Sequence, residues 1–117
     1  MRRSPRKPTA QFMSTPRRDA VWKKAGGCCV YCLAELYADR IGPTPVRRLP
    51  MDIEHAVPRT RGGSNKLENC LPACSPCNSR KSVRTVGEYL AAERRRTGQA
   101  DLVFHPAAMA FVVDGDA

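Results

Sequence analysis

The sequence predicts a small α+β fold that is held together by a bound metal. Helix signals stand on both sides of a short strand candidate, residues 51–57, which Pro58 ends. Two Cys-x-x-Cys pairs, Cys29/Cys32 and Cys74/Cys77, lie before and after that strand. At 117 residues with 6% aromatic residues, the chain has little core material, and such chains usually need a metal or disulfide staple.

Two helices can be placed from the signals at their ends. Thr15 is a suitable N-cap and Pro16 suits the first helical position, so a short helix is expected to run toward Gly26-Gly27. The segment Thr85-Val-Gly-Glu is a capping box that opens a second helix. That helix is expected to continue to about Thr97, with Gly98 as its stop.

Composition divides the chain into three parts. Residues 1–13 are basic, contain proline and lack a hydrophobic period, so we expect a flexible arm that reaches a phosphate backbone or simply a disordered terminus. Residues 14–100 contain the helix signals, the strand and both cysteine pairs, and form one domain. Residues 101–117 are a tail that either packs on the domain or covers the surface of a partner.

The charge balance favours a polyanionic partner. The chain has 20 Lys and Arg against 11 Asp and Glu, a net charge of +9, and residues from 101 onward contain no Lys or Arg. A solvated charged surface is the alternative, but nucleic acid is the simplest explanation of so one-sided a balance. No apolar run is long enough to cross a membrane or form a signal-peptide core, so we expect a cytoplasmic protein.

The paired cysteines predict a structural zinc site. Two Cys-x-x-Cys units present four thiolates to one tetrahedral Zn²⁺, and its ligands would be Cys29, Cys32, Cys74 and Cys77. Redox-active dithiols and disulfides are the alternatives, and the reducing compartment disfavours disulfides. Cys28 and Cys70 are left over: only Cys29 gives the two-residue gap to Cys32, and Cys70 is better explained as a small buried hydrophobe.

A second group of residues points to hydrolytic chemistry. His55 follows Glu54 on the predicted strand, and Asn78 comes directly after the last paired cysteine. Phosphodiester hydrolysis needs a base to deprotonate water and a hard cation to stabilise negative charge. Carboxylate and amide oxygens suit Mg²⁺ or Mn²⁺, whereas thiolates suit zinc, so two distinct metal sites are compatible with the chain. A lone histidine is more often structural, and these residues alone leave the role of His55 undecided.

The combined motif resembles the HNH endonuclease family. Its order is C-x-x-C, then E-H-x-x-P with a basic Gly-Gly loop, then Asn, then C-x-x-C-N-x-x-K, and it covers roughly residues 22–88. The resemblance implies a ββα-metal fold, in which a β-hairpin and a helix clasp a catalytic cation beside a four-cysteine zinc site. It also implies a metal-dependent DNA endonuclease or nickase.

The resemblance assigns roles by position. His55 would be the general base, and Glu54 and Asn78 would bind the catalytic cation, where the family usually has Asp and often His. These departures favour Mg²⁺ or Mn²⁺ over Ni²⁺ or Zn²⁺ at that site. Asn69 would brace the hairpin loop and help to orient the base. The expected phosphate contacts are Arg59, Arg61, Arg80 and Lys81. Asp52, on the same strand face as Glu54, is an additional or alternative acid, or a solvated strand residue.

Two other functions compete with the nuclease. One is a zinc-ribbon DNA-binding module with an unused cation site, and the other is an assembly subunit on the same scaffold. The joint presence of Glu54, His55, Asn69 and Asn78 favours the nuclease. Because no recognition helix is evident, we expect binding mainly to the DNA backbone, with specificity either broad or supplied by a protein partner. Phage packaging, restriction and mobile elements are all contexts in which such small members occur.

Overall fold

The computed structural model describes residues 15–38 and 48–113, and the arm predicted at residues 1–13 lies outside them. The elements are α1 (Pro16–Lys23), β1 (Leu36–Tyr37), β2 (Leu49–His55), β3 (Cys70–Cys74), α2 (Ser75–Lys81), α3 (Val86–Thr97) and α4 (Pro106–Met109). Two short 3₁₀ turns, Arg59–Arg61 and Leu67–Asn69, lie between β2 and β3. The predicted α+β class is confirmed. None of the described helices has the length and apolar character needed to span a membrane.

β2 is the central strand of a three-stranded sheet in the order β1-β2-β3. It pairs in parallel with β1 and antiparallel with β3, where His55 lies opposite Cys70. Because β3 runs directly into α2, the hairpin and this helix form the predicted ββα unit. β2 ends at His55, two residues before the predicted end. The next two N–H groups, of Ala56 and Val57, instead bond to the backbone and side-chain oxygens of Asn69, at 2.9 Å each.

Helix α1 begins where its N-terminal signals predict, ends at Lys23 before Gly26-Gly27, and covers one side of the sheet. The Thr15 hydroxyl accepts a hydrogen bond from the Arg18 amide at 3.1 Å, which caps the helix. Trp22 Nε1 donates to the carbonyl oxygen of Leu36 at 2.9 Å, and Arg18 donates to two backbone carbonyls of the sheet region. Val21 is completely buried. These contacts fix α1 against β1 and β2.

The C-terminal segment packs on the domain over its described part. Phe104 lies in an aromatic cluster, 4.8 Å from Tyr31 in an edge-to-face arrangement and 5.4 Å from Tyr89 in a stacked one, measured between ring centroids. The His105 amide donates to the carbonyl oxygen of Val30 at 2.8 Å. The capping box of α3 forms as predicted, with Gly98 in the left-handed conformation at its end. Residues 101–113 are therefore part of the folded unit.

Candidate zinc centre and active site

The two cysteine pairs occupy different backbone settings. In the first pair, the Cys29 amide donates to Ala34 O at 2.8 Å, and Leu33, with φ 67°, turns the chain back. In the second pair, Cys74 is the N-cap of α2 and Cys77 lies in its first turn. A backbone hydrogen bond from Cys77 favours the Cys74 thiolate, but burial outweighs this effect.

The four sulfur atoms converge into one cluster. Their Sγ atoms all lie within 4.8 Å of one another, and the separation of Cys32 Sγ and Cys74 Sγ is 3.7 Å. A tetrahedral zinc ion with metal–sulfur bonds of about 2.3 Å has sulfur–sulfur edges of about 3.8 Å. All six cysteines are free thiols, and Cys28 and Cys70 lie outside the cluster. The set therefore fits a structural zinc ion, as predicted.

The proximity of these thiols perturbs their acidity. A hydrogen bond with Cys77 is the main cause that lowers the pKa of Cys29 to about 5. Burial raises the pKa of Cys74 to about 11, and the hydrogen bond to Cys29, together with burial, raises the pKa of Cys77. The four thiols therefore do not lose their protons together, because the negative charge of one thiolate opposes the ionisation of its neighbours. A bound cation removes that opposition, and this ties zinc binding to folding.

An open pocket of about 250 Å³ lies beside the ends of β2 and α2. Its wall includes Glu54, His55, Arg59, Asn78 and Ser82. The structure therefore brings together the predicted base, both predicted cation ligands and one of the predicted phosphate contacts. His55 is half-buried at the end of β2, and its carbonyl oxygen accepts a hydrogen bond from Lys81 Nζ at 2.9 Å.

Asn69 pins the loop that follows His55. Its Oδ1 accepts from the Val57 amide at 2.9 Å, and its Nδ2 donates to the carbonyl oxygens of Val57 at 3.0 Å and Ser64 at 2.7 Å. Gly63 lies against the carbonyl group of Val57: a Cβ at position 63 would be 1.8 Å from Val57 O. Only glycine fits such a close approach. The loop geometry agrees with the bracing role that the resemblance implies for Asn69.

Glu54 lies in the pocket wall as one partner of a buried ion pair. It is 4% exposed; Oε1 lies 3.0 Å from Lys81 Nζ, and Oε2 accepts a hydrogen bond from the Tyr31 hydroxyl. Burial, followed by the negative charge of Glu54, raises the pKa of Tyr31, so the hydroxyl keeps its proton. Both carboxylate oxygens are therefore already engaged, which differs from the expectation of an open cation ligand.

The position of Lys81 differs from the one that the sequence predicts. Lys81 was expected near the phosphate, but it is 1% exposed and its ammonium group is directed to Glu54 and to the carbonyl of His55. A buried ammonium needs such partners, since desolvation without them is costly. Lys81 therefore holds the end of β2 from the inside of the domain and is not placed to contact DNA.

Asp52 and Asn78 form a second polar contact beside the pocket. Asp52 Oδ2 accepts from Asn78 Nδ2 and from Ser75 Oγ, at 3.1 Å each. Asp52 is half-buried, and no ion pair of the described residues includes it. Its carboxylate and the neighbouring amide are hard oxygen donors of the kind that Mg²⁺ and Mn²⁺ accept. Within the described chain, the cysteine cluster is the only group of three or more ionisable metal-binding side chains.

The three predicted arginine contacts occupy different places. Arg59 is exposed and lines the pocket. Arg61 forms a bidentate ion pair with Glu88 of α3, with Nη2 3.1 Å from Oε2. The hydrogen bond from Arg61 is the main cause that lowers the pKa of Glu88 to about 2, so Glu88 stays ionised at neutral pH. Arg80 lies toward α3, with Nε 3.9 Å from Glu93 Oε2 and Nη2 3.8 Å from Cys77 Sγ.

Sequence reasoning missed two residues that contact the site. Asn65 Oδ1 lies 2.9 Å from His55 Nε2, and Arg17 of α1 donates to the same oxygen at 3.2 Å. Asn65 follows the Gly-Gly turn and is not one of the residues that define the motif. Arg17 precedes it by 48 positions, so no local spacing could link the two.

A ββα unit with a four-cysteine cluster that fits zinc, and with a histidine and an asparagine at one pocket, defines a class of metal-binding domain. A model of the HNH endonuclease family matches residues 29–84, from the first cysteine turn to just beyond α2. Residues 29–84 are thus similar to the HNH endonuclease family, and this likeness suggests a nuclease-type domain that binds nucleic acid and metal. No match was found among curated proteins or among solved structures.

Proposed function

We propose that the protein is a metal-dependent endonuclease or nickase that hydrolyses phosphodiester bonds in DNA, with His55 as the general base. The observation that carries this proposal is the position of His55 in an open pocket beside Asn78 and Arg59, within an HNH domain. A general base must reach water and keep a defined orientation. His55 is half-buried, and hydrogen bonds hold both its ring and its carbonyl group.

The reaction follows from what each residue offers. His55 takes a proton from water while the water oxygen forms a bond to phosphorus and the bond from phosphorus to the 3′ oxygen breaks. The leaving 3′ oxygen takes a proton from solvent water. The products carry 5′-phosphate and 3′-hydroxyl ends, as the family resemblance implies. Arg59 binds the backbone phosphate beside the pocket through charge and is insensitive to sequence. A bound divalent cation supplies charge stabilisation for the phosphate and the leaving oxygen.

We place this cation, Mg²⁺ or Mn²⁺, at Asn78, and assign its carboxylate ligand to Asp52 in place of Glu54. Lys81 already neutralises Glu54 in the domain interior, and a second cation there would meet its charge. Asp52 lies against Asn78, and its charge is not offset by an ion pair among the described residues. The zinc ion at the four cysteines is structural, and the cytoplasm would keep these thiols reduced.

Manganese binding tests the ligand assignment without any cleavage. Electron paramagnetic resonance of Mn²⁺ titrated into the zinc-loaded protein should give a weaker affinity for Asp52→Asn and Asn78→Ala than for the parent. Ser75→Ala, which also contacts Asp52 Oδ2, is the matched control and should retain the ion. If a folded Glu54→Gln protein loses Mn²⁺ while Asp52→Asn keeps it, the carboxylate ligand is Glu54.

Plasmid cleavage tests the function itself. With Mg²⁺ or Mn²⁺, the protein should convert supercoiled plasmid to open-circular or linear DNA, and EDTA should stop the reaction. His55→Ala should reduce the rate by about 10²–10⁴ while zinc content, melting temperature and DNA affinity stay near those of the parent, because a base acts in the transition state. The matched control is His105→Ala, which removes a helix-capping side chain outside the pocket. A His55→Ala protein that cuts as fast as the parent would refute the proposal.

A second candidate function rests on the Glu54–Lys81 pair. If that pair replaces the cation permanently, the domain is a catalytically silent zinc module that binds DNA or serves in an assembly. Such a module would retard DNA in a gel yet leave plasmid intact with either metal. In both cases the protein would tolerate many DNA sequences or take its specificity from a protein partner, since backbone contacts carry no sequence information.

A further inference from the structure

Asn65 connects the proposed base to a helix outside the region that the family model matches. Its Oδ1 is the shared acceptor of two contacts, 2.9 Å from His55 Nε2 and 3.2 Å from Arg17 Nη2. Arg17 lies on α1, whereas the family match begins at residue 29. The contact between Asn65 and His55 is therefore supported by a helix that lies outside the matched residues 29–84.

The chemistry of these three side chains determines where the imidazole proton lies. A guanidinium group only donates hydrogen bonds, so the Asn65 atom that faces Arg17 is the amide oxygen and not the nitrogen. An amide oxygen only accepts, so His55 Nε2 must carry the proton in this contact. In the neutral ring, Nδ1 is then the nitrogen with an available lone pair.

Arg17 holds more than the side chain of Asn65. The same Nη2 atom donates to the backbone carbonyl oxygen of Asn65 and lies 3.2 Å from Cys70 Sγ. Arg17 thus fixes both the main chain and the amide of Asn65, and ties them to the first residue of β3. The neighbouring helix residues Arg18 and Trp22 bond to the sheet, so α1 provides a rigid support for this contact.

We propose that Asn65 is a positioning residue for His55: it sets the Nε2–H tautomer and aims Nδ1 at the water, while Arg17 holds Asn65 in place. This inference rests on the proposed role of His55 as the base. In the reaction, Nδ1 receives the proton that leaves water, and the ring becomes doubly protonated. The bond from Nε2–H to the amide oxygen persists and becomes charge-assisted, so it stabilises the product of proton transfer.

Nuclear magnetic resonance of the zinc-loaded full chain tests this without DNA. Long-range ¹H–¹⁵N correlation spectra, recorded where the ring is neutral, distinguish the two tautomers of His55. The parent should show the Nε2–H form. Asn65→Ala and Arg17→Ala should show a mixture of both forms, and Asn65→Asp should restore the Nε2–H form, because a carboxylate still accepts. Ser64→Ala, one residue away, is the control and should match the parent.

Kinetics give the second readout. In single-turnover plasmid cleavage, Asn65→Ala should lower the rate about 10-fold or more with an unchanged Kd for DNA, whereas loss of a merely structural contact would lower the melting temperature and leave the tautomer intact. An Nδ1–H ring in the parent, or a single Nε2–H form in Asn65→Ala, would overturn the proposal. If His55→Ala does not slow cleavage, the assignment of His55 as the base is wrong. The role of Asn65 in setting the tautomer is judged separately, from the NMR spectra.

Discussion

Among single residues, Glu54 and Lys81 give the clearest energetic prediction. Their charged groups lie 3.0 Å apart with side-chain exposures of 3% and 1%. Removal of one partner from a buried pair leaves an uncompensated charge and typically costs about 3–5 kcal/mol. Glu54→Gln or Lys81→Met should therefore lower the free energy of unfolding by that amount in urea titrations at neutral pH.

The double variant separates charge from packing. Glu54→Gln combined with Lys81→Met removes both charges and should recover much of the stability that either change loses. Glu35→Gln, which removes an exposed carboxylate 3.7 Å from Arg48, is the matched control and should change stability little. If Glu54→Gln unfolds at the same urea concentration as the parent, the pair does not stabilise the end of β2.

Gly63 should be far less tolerant of alanine than its neighbour Gly62. A Cβ at position 63 would lie 1.8 Å from Val57 O, the oxygen that accepts from Asn69, whereas position 62 has open space and a φ of 89°. Gly62→Ala should cost only the strain of a left-handed residue, about 1–2 kcal/mol. Gly63→Ala should lose more stability and also slow plasmid cleavage, as measured by urea titration and nicking rate. Equal losses for the two variants would contradict this account.

The sequence could predict residues whose roles depend on local order in the motif. His55 and Asn78 line one pocket, and Asn69 holds the loop that follows His55. The contacts of Lys81 and Asn65 could not be predicted in this way. Whether Lys81 is directed to solvent or to the interior depends on Tyr31 and Glu54, which come from other elements. Three-dimensional packing, and not spacing, decides such cases.

At the level of elements, the contact between the hairpin loop and α3 neutralises one cationic side chain of the loop. Arg61 of the loop is held by Glu88 in the first turn of α3, which also caps that helix. Glu88→Gln keeps a capping acceptor but removes the ion pair. We expect tighter DNA binding and a steeper dependence of log Kd on log salt by about one counterion, measured by fluorescence anisotropy.

The control for this prediction must change charge by the same amount elsewhere. Glu35→Gln does so beside the edge strand β1, where Glu35 pairs with Arg48. If both variants raise DNA affinity equally, the effect reflects net charge alone and not the release of Arg61. No change in either would show that the loop lies away from DNA.

Elements with signals at their own ends were predictable, and elements formed by distant pairing were not. Thr15 and Pro16 define α1, and the capping box defines α3, because these signals act within one turn of helix. The packing of residues 101–113 could not be derived, since it depends on Phe104 meeting two tyrosines from other elements. The predicted strand extends two residues beyond His55, where β2 ends. There the Val57 amide bonds to the side chain of Asn69 and not to the backbone of a neighbouring strand.

For the whole molecule, zinc should decide whether the domain folds. The cysteine cluster joins the turn before β1 to the start of α2, in a chain with few large hydrophobes. Chelation of zinc, or Cys74→Ser, should abolish the cooperative thermal transition seen by circular dichroism, since metal binding supplies folding free energy. Cys28→Ser should keep one zinc per chain by elemental analysis, because Cys28 lies outside the cluster. A Cys74→Ser protein with full zinc content and a cooperative transition would contradict the assignment.

The cluster of Tyr31, Tyr89 and Phe104 sets a boundary for protein engineering. Tyr31 belongs to the matched domain, but its ring partners Tyr89 and Phe104 lie beyond the C-terminal end of that domain. Arg17 and Trp22, which lie before the N-terminal end of the domain, bond to residues within it. A fragment trimmed to residues 29–84 would leave these apolar surfaces bare and would invite aggregation. The piece to graft onto a DNA-targeting protein is therefore not residues 29–84 alone but the whole stretch of residues 15–113.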